Sequence, residues 1–483
     1  MTQLNQDLTA PRPADQTPVA PESPARTPLV VVIGGGFGGL NIVKALRHQP
    51  VNVVLVDREN YHLFRPLLYQ VAMAGLSPAD IASPLRAIFS KAKNVMTVMA
   101  EVVDLDVNSR QVILRDGHTQ PYDFLVVAAG AHYDYFGHDS WQPNAPSLEG
   151  VEGALEIRRR LLAAYEQAEL ETERAERQKW LTFAVIGGGP TGVELAGAIG
   201  ELAHHTLREN FRHIDPASTR VLLIEALDRI LVTFPPELSA KAEQTLLELG
   251  VTVCVSTSVT EIGDGYLVVK GGEEIERIPC CTVLWAAGVR ASPLGQVLHE
   301  HSGVAIDRRG RVKIQPDLSL PNHPEIFAIG DMTYLEQDGK PLPGVAPVAI
   351  QQGNHVAEQI LRQLKGEPPL PFRYRDRGNM ATIGRAAAVA DLHFIRLSGF
   401  LAWLTWLVVH VINLIGFRNR LSVLGQWAWS YFTYSRSVRL IVANQAHSAD
   451  VASPAARQEH DGPIPQFANR AHEHEKGAYR VGA

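Results

Sequence analysis

The chain alternates between short apolar runs and longer segments in which apolar residues recur every three or four positions. Seven runs rich in valine, isoleucine and leucine each lead to a glycine or an acidic residue: LVVVIG, VNVVLVD, FLVVAAG, LTFAVIG, RVLLIE, TVLWAAG and EIFAIGD. Continuous apolar runs of this length are typical of strands that are buried on both faces of a parallel sheet. Together with the helical segments between them, they predict an α/β fold.

Six of these runs form two sets of three, and the two sets end in the same motifs in the same order. GGGFGG (34–39) and GGGPTG (187–192) each follow one strand, the next strand ends in an acid, and a third strand ends in AAG. The order predicts two complete dinucleotide-binding (Rossmann-like) folds in one chain. The longer interval in the second copy is assigned to a longer helix and loop over HHTLRENFRHIDPAST. The seventh run has no glycine motif before it, so the chain is expected to return to the first fold there.

The carboxyl-terminal part has a different pattern. Residues 397–417, LSGFLAWLTWLVVHVINLIGF, carry no formal charge, and four of the seven tryptophans of the chain lie at 403, 406, 427 and 429. We predict two amphipathic helices on a membrane surface, because indole rings prefer the interfacial layer and His410 and Asn413 would be costly within a span. The arginines expected to reach lipid phosphates are Arg418, Arg420, Arg436 and Arg439. A single span, or a buried helix or dimer interface, are the alternatives.

Length and charge set limits on the class of protein. A chain of 483 residues is too long for one ordinary core, and a net charge of -6 gives no reason to expect nucleic acid as a partner. The three cysteines are too few for a disulfide framework and are interpreted as buried structural residues in a reducing compartment. The polar ends, 1–28 and 446–483, are interpreted as a disordered arm and tail. The histidines of the tail lack metal-site spacing, and we expect no metal.

The two glycine motifs have the G-x-G-x-x-G spacing that binds a pyrophosphate at a helix N-terminus. The motif glycines are Gly34, Gly36 and Gly39 in the first fold, and Gly187, Gly189 and Gly192 in the second. Asp57 and Glu225 end the following strands, where a carboxylate can accept hydrogen bonds from ribose hydroxyls. An acid at Glu225 suits the free 2′-hydroxyl of NAD and repels a 2′-phosphate, so we expect NADH rather than NADPH as the donor.

The order of the five motifs over residues 28–390 resembles that of the two-dinucleotide-fold flavoproteins built like glutathione reductase. The resemblance implies that the first fold holds FAD and that the inserted second fold holds NADH. It also implies that the aspartate of the GD motif contacts the ribityl chain of the flavin. By this resemblance, the FAD site adds Ala129, Gly130, Gly330 and Asp331 to the first motif and Asp57, and the NADH site adds Ala287 and Gly288 to the second motif and Glu225.

Three further segments are similar to those of type II NADH:quinone oxidoreductases. The segment NYHLFRPLLYQVAMAGLSP (60–78) implies that Arg65, Pro66 and Leu67 lie near the flavin, and no cysteine precedes Cys254 to support disulfide chemistry. APVAIQQG (346–353) resembles the segment lining the quinone pocket in that family and implies contacts from Ala349, Gln351 and Gln352, together with Pro66. Pro347 replaces an expected glutamine. The segment with Trp403 and Trp406, followed by GFRNR, resembles monotopic bacterial enzymes.

Glu194 matches a glutamate that this family places near the nicotinamide and the quinone. Reduction of a quinone consumes two protons, so a neighbouring carboxyl group is a candidate proton relay. The dipole at a helix N-terminus favours the charged carboxylate, whereas a proton donor at neutral pH needs a raised pKa. A purely structural role for Glu194 is the alternative.

The predicted protein is therefore a peripheral, non-proton-pumping NADH:quinone oxidoreductase on the cytoplasmic face of the cell membrane. Hydride passes from NADH to FAD, and two electrons then pass to a membrane quinone, with Glu194, Gln351 and Gln352 as the catalytic candidates. The alternatives are a flavin reductase for another acceptor and a redox sensor with slow turnover. The quinone and the oligomeric state stay open, a homodimer included. The predicted segments are 1–28 (arm), 29–150 (FAD), 151–297 (NADH), 298–395 (FAD), 396–445 (membrane-anchoring helices) and 446–483 (tail).

Overall fold

The computed structural model describes residues 26–433 and 438–441. Most of the predicted arm, all of the predicted tail at 446–483, and Arg436 lie outside the described residues. Residues 26–433 and 438–440 belong to one compact unit, which ends at Leu440.

The first sheet has six strands in the order β20-β21-β9-β1-β2-β5, and all neighbouring pairs are parallel except β20 with β21. Its strands are β1 (Leu29–Ile33), β2 (Asn52–Asp57), β5 (Val95–Met99), β9 (Phe124–Val127), β20 (Ser319–Leu320) and β21 (His323–Ala328). The chain thus returns to this sheet after residue 318, as expected from the EIFAIGD run. Helices α1 (Phe37–Leu46) and α10 (Ala346–Leu364) pack closely together. Glycine at position 353 permits this approach, because a Cβ atom there would lie 2.5 Å from the carbonyl oxygen of Gly38.

The second sheet lies within the sequence interval between strands β9 and β20. Its four parallel strands have the order β13-β12-β11-β17: β11 (Thr182–Ile186), β12 (Arg220–Ile224), β13 (Val251–Cys254) and β17 (Thr282–Trp285). Helices α7 (Pro190–Glu201) and α8 (Pro236–Glu248) belong to this fold. A π-helical turn, Leu202–Thr206, extends α7, and an irregular segment follows, which accounts for the long interval before β12. The predicted fold class, with one dinucleotide fold inserted in another, is confirmed.

Seven smaller sheets, nearly all antiparallel, accompany the two folds in the described residues. The three-stranded sheets are β6 (Val102–Asp106), β7 (Gln111–Leu114) and β8 (Thr119–Pro121); β14 (Thr257–Gly263), β15 (Tyr266–Gly271) and β16 (Glu274–Pro279); and β25 (Asn379–Gly384), β26 (Ala387–Asp391) and β27 (Arg396–Gly399). The two-stranded pairs are β3 (Tyr61–Leu63) with β4 (Ala82–Pro84), β10 (Ala131–Tyr133) with β18 (Val289–Ala291), β19 (Val312–Lys313) with β22 (Thr333–Tyr334), and β23 (Glu336–Gln337) with β24 (Lys340–Pro341). Among these smaller sheets of the described residues, the pair of β19 with β22 is the only parallel one. The pair of β10 with β18 joins the first fold to the second.

The remaining helices are α2 (Leu68–Ala72), α3 (Pro78–Ile81), α4 (Leu85–Ile88), α5 (Val151–Leu170), α6 (Arg174–Trp180), α9 (Leu294–Ser302), α11 (Phe400–Asn413) and α12 (Phe417–Thr433). The uncharged stretch at 397–417 is divided between β27, α11 and the turn at Gly416, which has a φ angle of +90°. In the described part of the chain, no helix combines the length and the apolar character needed to cross a membrane. The prediction of two helices in this region is confirmed.

His410 packs against other residues of the protein. Its ring stacks on Trp406 at 4.3 Å, and its Nδ1 lies 2.7 Å from the Trp406 carbonyl oxygen. Burial lowers the pKa of His410 to about 4, so the ring is neutral at physiological pH. Asn413 donates to the carbonyl oxygen of Val409. Both polar side chains therefore hydrogen-bond to carbonyl oxygens one turn earlier in helix α11.

Candidate active site

The first glycine motif forms a tight turn with free space above it. Gly34 has a φ angle of +99°, and a Cβ atom there would lie 2.5 Å from the Ala128 carbonyl oxygen. A Cβ atom at Gly39 would lie 1.7 Å from the carbonyl oxygen of Gly34, which explains the need for glycine at both positions. At Gly36, the N-cap of α1, a Cβ atom would meet nothing within 4 Å. The space beside the helix N-terminus suits a pyrophosphate.

The second glycine motif repeats this geometry in the inserted fold. Gly187 has a φ angle of +107°, and a Cβ atom there would approach Ala286 and Ala287 to 2.9 Å. A Cβ atom at Gly192 would lie 1.8 Å from the Gly187 carbonyl oxygen, and one at Gly189, the N-cap of α7, would meet nothing within 4 Å. Both motifs therefore leave open space beside a helix N-terminus, a geometry that suits a phosphate group.

The acids that end the second strands occupy equivalent positions. The Asp57 carboxylate accepts a hydrogen bond from the Gly35 amide and another from the Glu59 amide at 2.7 Å. Glu225 accepts from the Gly188 amide at 2.6 Å and from the Leu227 amide at 2.9 Å. An ionised carboxylate has about four acceptor positions, so each acid retains capacity for ribose hydroxyls. Burial raises the pKa of Asp57, and its backbone hydrogen bonds and the charges of Arg58 and Arg65 oppose that rise.

The GD motif lies beside helix α10. The Gly330 amide donates to the buried side chain of Gln352 at 2.7 Å, and both residues line a small cavity with Asp331. Burial raises the pKa of Asp331, and the positive charge of Arg65 opposes the rise. Arg65 itself is exposed at the start of a short 3-10 turn that also contains Pro66. The structure thus brings Arg65, Asp57 and Asp331 to one side of the first fold.

The AAG segments follow the third strand of each fold. Gly130 has a φ angle of +68° and open space at its Cβ position, next to Ala129. Gly288 has a φ angle of +69°, but the ring of Phe136 occupies its Cβ position at 2.4 Å. Ala287 and Gly288 therefore border the second glycine motif on one side and an aromatic ring on the other.

The open space at Gly36 and Gly130, and the acids at Asp57 and Asp331, fit the parts of FAD that the sequence assigns to the first fold. The open Cβ position of Gly36 leaves room for the pyrophosphate, and Asp57 ends the strand where a ribose would lie. A carboxyl group at Asp331 can accept a hydrogen bond from a polyol such as the ribityl chain.

A larger cavity, of about 120 Å³, lies between helix α7, the end of helix α2 and the tryptophans of the carboxyl-terminal helices. We call it the tryptophan cavity. It is lined by Tyr69, Gln70, Met73, Gly75, Glu194, Ala198, Glu201, Thr206, Thr382, Ile383, Gly384, Arg385, Trp403, Trp406 and Trp427. Of these residues, only Glu194 was singled out as a site residue from the sequence.

Glu194 contributes a carboxyl group to this cavity. It lies one turn into α7, and a backbone hydrogen bond from Thr382 favours the charged form. What remains exposed of its side chain faces the cavity, and burial raises the pKa of Glu194 to about 8. The carboxyl group is therefore protonated at neutral pH, so desolvation outweighs the helix dipole. One and two turns further along α7, Ala198 and Glu201 line the same cavity.

The wall formed by residues 69–76 is held from both sides. The Trp427 indole donates to the Gln70 side chain at 2.6 Å, and Gln70 donates to the Tyr69 hydroxyl at 2.9 Å. From the other side, the buried Arg158 guanidinium donates to the carbonyl oxygens of Val71 and Leu76. The sequence predicts Trp427 at a membrane surface. Its hydrogen bond to Gln70 joins distant segments, so no periodic pattern in the sequence indicates a place in the cavity wall.

Helix α12 is fastened to the body of the protein by a polar cluster. Asp80, 8% exposed, accepts from the Ser422 hydroxyl at 2.7 Å and from the Gln426 amide at 3.0 Å. The Asn419 side chain lies 3.3 Å from the Ser83 hydroxyl oxygen. Because Asp80 also caps α3, the cluster joins the two helices directly.

The glutamines predicted to contact a quinone lie outside the residues that line the tryptophan cavity. Gln351 forms two hydrogen bonds with the Arg375 backbone, one as donor and one as acceptor, each 3.0 Å long. Gln352 and the buried Ala349 lie beside Gly330, and Pro66 lies in the turn after Arg65. These four residues therefore border the FAD residues, and quinone contact by them stays a prediction.

The carboxyl-terminal helices present an apolar face to solvent. On α11 the exposed residues recur at helical spacing, and α12 continues the surface: Leu401, Leu404, Val408, Ile412, Phe417, Leu421 and Leu424. Arg418 is exposed beside them. The Arg420 guanidinium instead donates to the carbonyl oxygens of Leu414 and Ile412, and Arg439 donates to Asn210. Contiguous exposed apolar residues are characteristic of interaction surfaces.

Comparison with known proteins gives two family matches. Residues 28–353 match the pyridine nucleotide-disulphide oxidoreductase family, and residues 377–436 match the NDH2 C-terminal domain. The chain is 43% identical over 438 residues to the type II NADH:quinone oxidoreductase Ndh of Mycobacterium tuberculosis, covering 89% of this chain and 93% of that protein. It is 31% identical to the type II NADH:quinone oxidoreductase of Staphylococcus haemolyticus, covering 74% and 87% of the two chains. NDH2 from Plasmodium falciparum, solved with NADH, superimposes with a TM-score of 0.78 at 20% identity, covering 86% of this chain and all of that one.

Proposed function

Because this chain belongs to the type II NADH:quinone oxidoreductases of the pyridine nucleotide-disulphide oxidoreductase family, we propose that it oxidises NADH and reduces a membrane quinone. The net reaction consumes NADH, one proton and a quinone and yields NAD⁺ and the quinol. FAD, when bound, supplies the redox chemistry by accepting hydride from NADH and passing two electrons to the quinone. The protein contributes the alignment of the reactants, the exclusion of water and the handling of protons.

The two dinucleotide folds divide the binding of the two nucleotides. In the first fold, Gly36 and Asp57 hold the pyrophosphate and a ribose of FAD, and Asp331 holds the ribityl chain. In the second fold, the corresponding residues for NADH are Gly189 and Glu225. The negative charge of Glu225 sets the preference for NADH, because it accepts hydrogen bonds from the ribose hydroxyls and repels a 2′-phosphate.

The quinone head group binds in the tryptophan cavity. The observation that carries this proposal is the position of the Glu194 carboxyl group, whose pKa burial raises to about 8, in a cavity whose wall also contains tryptophans of the carboxyl-terminal helices. Trp403, Trp406 and Trp427 offer flat apolar surfaces to a planar ring, and the Glu194 carboxyl can deliver a proton as the quinone is reduced. Gln351 and Gln352, with Ala349 and Pro66, complete the proposed path between this cavity and the flavin.

The apolar face of α11 and α12 lies on the lipid surface and brings the cavity to the depth of the quinone. Leu401, Val408 and Ile412 enter the interfacial layer, with Arg418 at the level of the phosphates. The enzyme is then peripheral, on the cytoplasmic face of the membrane where NADH is available. When α11 and α12 lie on the membrane, the entrance of the tryptophan cavity for the apolar quinone lies against the bilayer. The crevice for NADH then lies in water.

The test separates the two half-reactions. The FAD-loaded protein is reduced anaerobically with one equivalent of NADH in a stopped-flow instrument and then mixed with a short-chain quinone. We expect rapid bleaching of the flavin and rapid reoxidation. In the variant Ala198→Leu, whose larger side chain fills the cavity, bleaching by NADH stays unchanged and reoxidation slows at least tenfold. Slow reoxidation of the wild-type protein would instead favour another acceptor or a redox sensor. Fast reoxidation of the variant would place the quinone outside the cavity.

A further inference from the structure

Phe136 is an exposed aromatic residue in an unusual backbone conformation. It has a φ angle of +54°, a region that bulky side chains rarely adopt, and its side chain is 61% exposed. Strained residues of this kind persist where the surrounding structure fixes them, and they cluster at ligand-binding sites. Exposure and strain together indicate that the ring serves something other than the core.

The loop that carries Phe136 is fastened to the second dinucleotide fold. The Asp134 carboxylate accepts from the Phe136 amide at 2.8 Å, and the Trp285 indole donates to the Asp134 carbonyl oxygen at 3.1 Å. The Arg290 guanidinium lies 3.5 Å from the same carboxylate. Phe136 also contacts the Trp285 ring edge-on, with centroids 6.1 Å apart. The position of the ring is therefore set by several contacts.

The ring points at the AAG segment of the NADH fold. It occupies the space where a Cβ atom of Gly288 would be, 2.4 Å from that position, so Gly288 is required for its approach. Gly288 follows strand β17, which neighbours β11 and its glycine motif at the same carboxyl edge of the sheet. Phe136 thus covers one end of the crevice in which a dinucleotide binds.

The order of the strands shows which end of NADH lies there. In the order β13-β12-β11-β17, the ribose-binding Glu225 ends β12, the phosphate-binding Gly189 follows β11, and Gly288 follows β17. A dinucleotide with its adenosine ribose at Glu225 and its pyrophosphate at Gly189 therefore has its nicotinamide end beside Gly288. The geometry points to Phe136 as an NADH-contacting residue whose ring packs against the nicotinamide riboside half of the substrate. This inference rests on the proposed NADH oxidation and adds a residue to it.

Three substitutions separate the ring from the shape of its loop. Phe136→Asn removes the ring but keeps a residue that tolerates a positive φ angle. Phe136→Tyr keeps an aromatic ring. Phe394→Ala is the control, because Phe394 is another exposed phenylalanine, 87% exposed, and forms no part of the NADH fold. Flavin absorbance and the melting temperature check that each protein is folded and loaded with FAD.

The measurement is the NADH concentration that gives half the maximal rate of flavin bleaching, without any quinone. We expect Phe136→Asn to raise it about tenfold, equivalent to about 1.4 kcal/mol, and to leave the KM for quinone unchanged in turnover. Phe136→Tyr and Phe394→Ala stay within twofold of the wild type. A normal NADH dependence in Phe136→Asn, or an equal rise in both KM values, overturns the inference but not the proposed function. Failure of NADH to bleach the wild-type flavin overturns both.

Discussion

Replacement of Glu194 by glutamine tests the link between burial, protonation and catalysis in the tryptophan cavity. The substitution keeps the size of the side chain and removes the group that titrates. Burial raises the pKa of Glu194 from 4.5 to about 8, so the folded protein holds this proton more tightly than the unfolded chain. The stability from this group is fully present below pH 4.5 and is lost as the pH rises to about 8.

The magnitude follows from the pKa difference. One pKa unit corresponds to about 1.4 kcal/mol, so the full shift has a ceiling of about 5 kcal/mol. About 2 kcal/mol is already lost at pH 6, and about 3 kcal/mol more is lost between pH 6 and pH 9. Since unfolding a chain of this length has an entropy of roughly 1 kcal/mol/K, the Tm of Glu194→Gln rises relative to wild type by about 3 °C across that range.

Thermal unfolding of the FAD-loaded proteins, measured from pH 6 to pH 9, gives the Tm difference at each pH. Glu166→Gln is the control, because Glu166 is an exposed glutamate of helix α5; its Tm difference from wild type stays flat. In parallel, the rate of flavin reoxidation by quinone falls in the wild type as the pH passes 8, because the carboxyl group loses its proton, and it is slow and flat in Glu194→Gln. A Tm difference independent of pH, or full reoxidation by the variant at every pH, would refute the reasoning.

Two further predictions concern the nucleotide and the membrane helices. Glu225→Gln keeps an acceptor for the Gly188 amide but removes the charge, so the ratio of kcat/KM for NADH over NADPH falls by about tenfold to a hundredfold. Steady-state rates with both nucleotides check this ratio. An unchanged ratio would show that Glu225 does not set the preference for NADH. Asp80→Ala removes the acceptor of Ser422 and Gln426, so helix α12 detaches more often. We therefore expect a protease to cut the linker at 414–416 at least tenfold faster, and the KM for quinone to rise. Equal cleavage rates in the two proteins would show that this cluster does not hold the helix.

Much of the fold could be predicted because its signals are local in sequence. The apolar runs that end at Gly34, Asp57 and Gly330 are continuous, and each lies on a buried parallel strand. The glycine motifs are short and have fixed spacing, since a Cβ atom at Gly39 or Gly192 would collide with the backbone one turn away. These features need no knowledge of distant contacts.

The tryptophan cavity could not be predicted in the same way, because its walls come from segments far apart in the chain. The Gln70 to Trp427 hydrogen bond joins residues separated by 357 positions. Arg158 reads as a polar residue of an amphipathic helix, yet it is 4% exposed and holds the carbonyl oxygens of Val71 and Leu76. The raised pKa of Glu194 likewise depends on burial that only the assembled structure provides.

The interleaved order of the two sheets has a consequence for synthesis on the ribosome. The inserted sheet is complete once Trp285 has emerged, whereas strand β21 and helix α10 of the outer fold end at Ala328 and Leu364. At 5–20 residues per second, the roughly 80 residues between Trp285 and Leu364 take about 4–16 s to translate. Until β21 has emerged, strand β9 leaves unpaired the backbone N–H and C=O groups that later bond to β21. The nascent chain therefore contains a complete NADH-binding fold before the surrounding FAD-binding fold is complete. Retention of FAD must wait until the last part of that outer fold has been synthesised.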